Sequence, residues 1–128
     1  MGVSKAFTFV SNVRDFSAND ALVARVADVV QTPRQLFELF YRLLTLPGYF
    51  GFNWNALFDC LRDFHWVSQG KVVIVHDTFP ALPQSEMKTY LEVLRDAVLD
   101  WKPGEAHSLE IVFDENDRAR VEAMMAED

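Results

Sequence analysis

LPGYFGFNWNALFDCLRDF, residues 46–64, is the stretch on which the reading of this chain turns. Tyr49, Phe50, Phe52, Trp54 and Phe58 are packed around a Gly-Phe-Asn turn, directly ahead of a short apolar segment. Leu57, Cys60, Leu61 and Phe64 recur at helical spacing, so a helix is expected from about Asn53 to Asp63 with those residues as its buried stripe. Loops lie on the surface. An aromatic loop running into a helix that carries a lone acid, Asp59, has the character of a surface that grips something.

Working outward toward the N-terminus, Pro47-Gly48 stops a preceding helix that runs to about Thr45. Thr32-Pro33 starts it, with Thr at the N-cap and Pro at the first helical position. Leu36, Phe37, Phe40, Leu43 and Leu44 share its apolar face. Ala21–Val26 reads as a strand. In the first 20 residues Phe7, Phe9 and Val13 alternate as in a short strand or arm.

Toward the C-terminus, KVVIVH at 71–76 is a continuous β-branched run. Such a run belongs to a strand buried on both faces, which implies a parallel sheet covered by helices. Pro80 and Pro83 mark a loop, and Ser85 is the expected cap of a helix reaching Trp101, packed by Met87, Tyr90, Leu91, Leu94 and Val98. Lys102-Pro103-Gly104 ends that helix, SLEIVF at 108–113 is the last strand, and Asp114 caps a short acidic helix. Strands separated by helices define an α/β fold with a small, mostly parallel sheet. No repeat or linker divides the chain, so residues 1–128 are expected to form a single domain.

Half of the residues are apolar and 11 are Phe, enough for a core without staples. No apolar run approaches the roughly 20 residues that cross a membrane. MGVSKAFTFVSNVRDF has no secretory apolar stretch, and its Gly2 lacks the downstream support of an acylation signal. The one cysteine, Cys60, builds neither an internal disulfide nor a metal framework, and is expected to be a small buried helix residue. A reducing cytoplasm suits it. The net charge is −7: residues 1–64 hold six basic and six acidic side chains, and residues 65–128 hold six and thirteen. That balance argues against direct nucleic-acid binding and suits a basic protein partner.

No phosphate-cradling Gly-rich loop or nucleophile elbow is present, and His65, His76 and His107 fit no zinc spacing. No cofactor and no metal are expected. His76-Asp77 ends a strand, where catalytic pairs occur in α/β proteins, but polar residues also simply terminate buried strands. Asp96 and Asp100 lie four apart on one helix face, a spacing that serves acid–base chemistry or a plain solvated face.

LPGYFGFNWNALFDCL, residues 46–61, resembles the barstar family of ribonuclease inhibitors. The family pattern is matched at Leu46, Pro47, Tyr49, Phe50, Gly51, Asn53, Ala56, Leu57, Phe58, Asp59, Cys60 and Leu61, without a gap. Val93-Leu94-Arg95-Asp96-Ala97 is similar to a segment of the family's later helix. The resemblance covers about residues 21–113. It implies a three-stranded parallel sheet packed with helices, to which residues 1–20 add an arm and the residues after Asp114 add a helix.

The resemblance also implies an activity: a loop and helix plug the cleft of a basic nuclease, and a carboxylate takes the place of the substrate phosphate. A carboxylate pairs with guanidinium in short charge-assisted bonds. Asp59 then matches the phosphate-mimicking acid, and Tyr49 an aromatic that packs on the enzyme's catalytic histidine. Gly51 and Asn53 match loop positions that shape the contact, Phe58 an aromatic beside the key acid, Phe64 a further interface aromatic, and Asp96 a peripheral acid. Asn55 stands in place of a second central acid. Trp54 and Phe52 make the motif more aromatic, and Arg62 adds a positive charge beside it. The expected partner is a basic ribonuclease toxin, with no nucleic acid or membrane bound directly and the chain itself a monomer. The competing readings are a module of the same fold with a non-nuclease partner, and an enzyme using His76, Asp77, Asp96 or Asp100.

Overall fold

The computed structural model describes residues 5–126; residues 1–4, which include Gly2, and residues 127–128 lie outside it. In chain order the elements are β1 (Phe7–Val10), a 3₁₀ turn (Val13–Asp15), β2 (Leu22–Arg25), α1 (Pro33–Leu43) and α2 (Trp54–Leu61). They continue with β3 (Lys71–Val75), α3 (Gln84–Asp100), β4 (Ser108–Asp114), a second 3₁₀ turn (Glu115–Asp117) and α4 (Arg118–Met125).

The sheet is parallel throughout, in the order β1-β4-β3-β2. It has four strands, not the expected three. The difference is β1, which pairs in parallel with β4, Phe7 opposite Ile111. The expected arm is therefore an edge strand. Phe7 meets the Phe113 ring edge-on at 5.4 Å and Phe9 stacks on it at 6.0 Å, while the Thr8 hydroxyl donates to Glu110 Oε2 (3.0 Å).

From β2 to β3 to β4 the chain steps across the sheet in one direction. Right-handed crossovers then place the connecting helices on one face. Val72 and Ile74 of β3 and Ile111 and Phe113 of β4 face α1, α2 and α3 in the main core, with Leu36, Phe40, Leu57, Leu61, Leu91 and Leu94. Val73, Val75 and Val112 point the other way, and Val13, Phe16, Ala18 and Ala21, on the connection from β1 to β2, cover them. This explains the uninterrupted apolar run of β3. It is buried on one side by helices and on the other by an irregular strap.

Arg25 fastens the strap. Its guanidinium donates to the carbonyls of Phe16 (2.9 Å), Val13 and Arg14 (both 3.1 Å), and to both carboxylate oxygens of Asp77 (2.9 and 3.2 Å). The Val13 N–H donates to Asp114 Oδ2 (3.0 Å). That bond and a second from the Asn116 N–H hold the Asp114 carboxyl below its ordinary range.

Helix α1 begins as the sequence indicates: the Gln35 N–H donates to the Thr32 hydroxyl (3.2 Å) and Pro33 opens the first turn. Its end comes earlier than Pro47-Gly48. Thr45 takes a left-handed conformation (φ 50°), and the N–H groups of Thr45 and Leu46 return to the carbonyls of Arg42 and Tyr41, a Schellman closure without glycine. Helix α3 departs from expectation at its start. Ser85 lies inside the first turn, and the flanking Pro83 offers no side-chain cap.

Candidate functional site

The loop between α1 and α2 is fixed from within. Leu46 and Phe50 are buried, and the Phe50 N–H closes a turn on the Pro47 carbonyl (2.9 Å). Phe52, at φ 55°, tilts against Phe50 (4.8 Å) and Tyr41 (5.3 Å). Trp54 turns inward as well. Its ring meets Phe37 edge-on at 4.8 Å, and its indole N–H donates to Glu86 Oε1 (3.1 Å), tying the start of α2 to the start of α3. The aromatic residues therefore do not crowd the surface. Of the five, Phe50 is buried, Phe52, Trp54 and Phe58 are half-buried, and Tyr49, at 70% exposure, is thrown outward.

Asn53 organises the turn into α2. The Ala56 N–H donates to Asn53 Oδ1 (2.8 Å), which caps the helix, and Asn53 Nδ2 donates to the Gly51 carbonyl (3.2 Å). A Cβ on Gly51 would stand 3.1 Å from Asn53 Nδ2, so the glycine keeps room for the cap. Asn55 and Asp59 are exposed on successive turns of α2, with Phe58 half-buried beside them. Among the described residues the Asp59 carboxylate has no hydrogen bond and no ion pair.

A hollow of about 140 Å³ opens between the loop and the helix, lined by Tyr49, Phe50, Ala56, Asp59, Cys60 and Asp63. Cys60 is buried at its floor. Burial, then the charges of Asp63 and Asp59, push its thiol up to about 11, so it stays protonated and is no nucleophile at neutral pH. The Tyr49 phenol is also raised, by desolvation and then by Asp63. Asp63 lies four residues after Asp59, at the edge of the hollow. It accepts from the His65 imidazole at Nδ1 (2.7 Å) and from the His65 N–H (3.2 Å).

Two expected interface residues stand apart. Phe64 is wholly enclosed. Its left-handed backbone (φ 56°) turns the ring into the body, parallel to Trp101 at 6.0 Å and edge-on to Trp66 at 5.9 Å. It has no surface to offer a partner, which corrects its assignment to the interface. Asp96 is exposed on α3 and engaged by its neighbour Arg95 (3.0 Å). Arg62, which threatened to place a positive charge beside Asp59, is drawn the other way. It pairs with Asp100 and Glu105 and lies 4.0 Å over the Trp101 ring.

The residues considered for catalysis are otherwise engaged. His76 is fully buried and stacked on Phe113 at 4.1 Å. Its Nδ1 lies 3.0 Å from the Val112 carbonyl, which can only accept, so the proton sits on Nδ1 and Nε2 accepts from the Tyr90 hydroxyl (2.7 Å). Asp77 belongs to Arg25, and Asp100 to Arg62. Among the described residues no three His, Cys, Asp or Glu side chains are grouped to hold a metal ion, and no helix is long and apolar enough to cross a membrane.

Residues 21–122 match the family model described as Barstar (barnase inhibitor). The match begins where β2 begins and takes in the second 3₁₀ turn and the first part of α4, leaving β1 and most of the strap outside. No curated protein and no solved structure matches the chain.

Proposed function

The chain belongs to the barstar family of barnase inhibitors, and on that footing we propose that it binds a basic ribonuclease toxin and blocks its active site with α2 and the loop before it. The observation that carries this reading is Asp59, an exposed carboxylate without a partner among the described residues, beside the outward ring of Tyr49. A ribonuclease cleft must be electropositive to hold its polyanionic substrate. A carboxylate on a helix suits such a cleft, and a tyrosine ring adds contact area with few rotatable bonds to order.

Tyr49, Asp59, Phe58 and Asn55 form the contact surface, while Gly51, Asn53 and Trp54 hold it in shape. Asp96 contributes from the rim. The surplus acidity of residues 65–128 speeds encounter with a basic partner. The test is to capture the partner from native cells and assay its RNA cleavage with wild type and with Asp59→Ala. The wild type suppresses cleavage, and Asp59→Ala loses at least tens-fold in affinity. Equal inhibition by the two would remove Asp59 from the site.

A module of the same fold with a non-nuclease partner is the second reading. It draws on Asn55, which is exposed and uncharged on the face that carries Asp59. A captured partner without nuclease activity would establish it.

A further inference from the structure

Arg62 closes α2. Its N–H returns to the carbonyls of Phe58 (3.0 Å) and Asp59 (3.3 Å), so helical spacing continues through it and places it beside Asp59, three residues earlier. Elsewhere in this chain an arginine takes the acid that precedes it by three. Arg118 pairs with Glu115 and Arg120 with Asp117, both at 2.6 Å. The negative end of α2 also favours a cation there. Arg62 nevertheless leaves Asp59 alone.

The end of α3 draws it off. Arg62 Nε donates to Asp100 Oδ2 and Nη2 to Glu105 Oε2 (3.3 Å), with the guanidinium 4.0 Å over the Trp101 ring. These groups are fixed in turn. The Trp101 indole N–H donates to the Leu61 carbonyl (2.8 Å), and the Lys102 N–H donates to Glu105 Oε1 (2.6 Å). The hold is incomplete, however. Arg62 Nη1 is enclosed and finds no acceptor among the described residues, a cost that a position beside the exposed Asp59 does not carry. The two carboxylates therefore decide where the guanidinium lies.

We propose that Asp100 and Glu105 are positioning residues for the face of α2: by holding Arg62 they leave the charge of Asp59 open to the partner, and without them Arg62 neutralises it. The proposal rests on the reading that this face binds a basic protein, and it adds what keeps the acid of that face unpaired. Asp59 is the acid that a released Arg62 meets. Asn55 is neutral, and Asp63 is already engaged through both oxygens by His65 (2.7 and 3.2 Å).

The test compares three forms of the full-length protein: wild type, Asp100→Asn with Glu105→Gln, and that pair combined with Arg62→Gln. Both acids are partly exposed and both changes are isosteric. Amide spectra by NMR, recorded without any partner, report the fold and the whereabouts of Arg62. The double variant should move the resonances of Phe58 and Asp59, and adding Arg62→Gln should move them back. Affinity for the protein captured from native cells should fall by about threefold or more in the double variant and return to within about twofold of wild type in the triple. A loss that Arg62→Gln does not restore would mean that the two acids touch the partner or merely support the fold, and overturns the proposal. So do resonances of Phe58 and Asp59 that stay in place. If the double change disturbs the fold, Asp100→Asn alone is expected to act in the same direction, with the same restoration. Restoration seen with a captured partner that lacks nuclease activity would sink the ribonuclease reading alone. A ribonuclease inhibitor that depends on Asp59 but is indifferent to the double change would sink this proposal alone.

Discussion

The Tyr90 hydroxyl donates to His76 Nε2 at 2.7 Å, and both side chains are completely removed from solvent. The pair joins the end of β3 to the middle of α3, and it keeps the imidazole neutral. Burial depresses His76 from its ordinary 6.5 to about 4, against the smaller opposing effects of the Val112 carbonyl and Asp77. Between those values the unfolded chain binds a proton that the folded chain does not. Stability is therefore full above pH 6.5 and falls as the pH drops toward 4, by about 3 kcal/mol for a shift of this size. Urea unfolding from pH 7.5 to 4.5 should show this loss in the wild type and a smaller one in His76→Leu.

Tyr90→Phe should destabilise the protein by about 1–3 kcal/mol, because it leaves a buried imidazole nitrogen without its donor. The loss is read from the urea midpoint at pH 7.5. An unchanged midpoint would show that the hydroxyl contributes nothing.

Phe64 and Phe58 should part company on truncation to alanine. Phe64→Ala opens a cavity in the core and should cost about 3–5 kcal/mol of stability. Phe58 is half-buried, so Phe58→Ala should cost markedly less stability and weaken the partner more. Unfolding midpoints and partner affinity, measured on both variants, separate a packing residue from a contact residue.

Asp59→Asn should raise the melting temperature of the free protein slightly, on the order of 2 °C at low salt, by removing negative charge from the negative end of α2. The gain should shrink in high salt, where such interactions are screened. The same change should weaken the complex, so stability and binding move in opposite directions. A fall in melting temperature would show that the carboxylate supports the fold.

Arg25→Met should loosen the strap. The substitution removes donors to three backbone carbonyls and strands the half-enclosed Asp77, costing about 2 kcal/mol or more. Amide exchange at Val10 and Val13 should accelerate before the helical layer is affected. Unchanged exchange there would mean that the apolar contacts of Val13 hold the strap without the clamp.

Much of the fold is legible in single residues. Thr32-Pro33 gives the start of α1, and the β-branched run of β3 gives a strand covered on both faces. What covers its second face is not legible, because the strap from Asn12 to Ala21 has no period of its own and owes its place to a guanidinium clamp from β2. β1 is half legible: Phe7 and Phe9 alternate as in a short strand, but its place in the sheet is hidden, because the partner strand lies at the far end of the sequence. The site divides along the same line. Tyr49, Asn53 and Asp59 follow from a local motif. The inward turn of Trp54, the enclosure of Phe64 and the diversion of Arg62 depend on Glu86, Trp101, Asp100 and Glu105, which no local pattern brings near.

The pairing of β1 with β4 has a consequence for the order of assembly. Thr8 and Glu110, which share a hydrogen bond, are 102 residues apart. β2, β3 and β4 each find a neighbour among segments synthesised next to them, but β1 leaves the ribosome before β4, the one strand it pairs with among the described residues, exists. Its long loop must be closed at an entropic cost before any contact repays it, which makes edge docking a late and slow step. Of the four described strands, the first to be made is the last that can be placed.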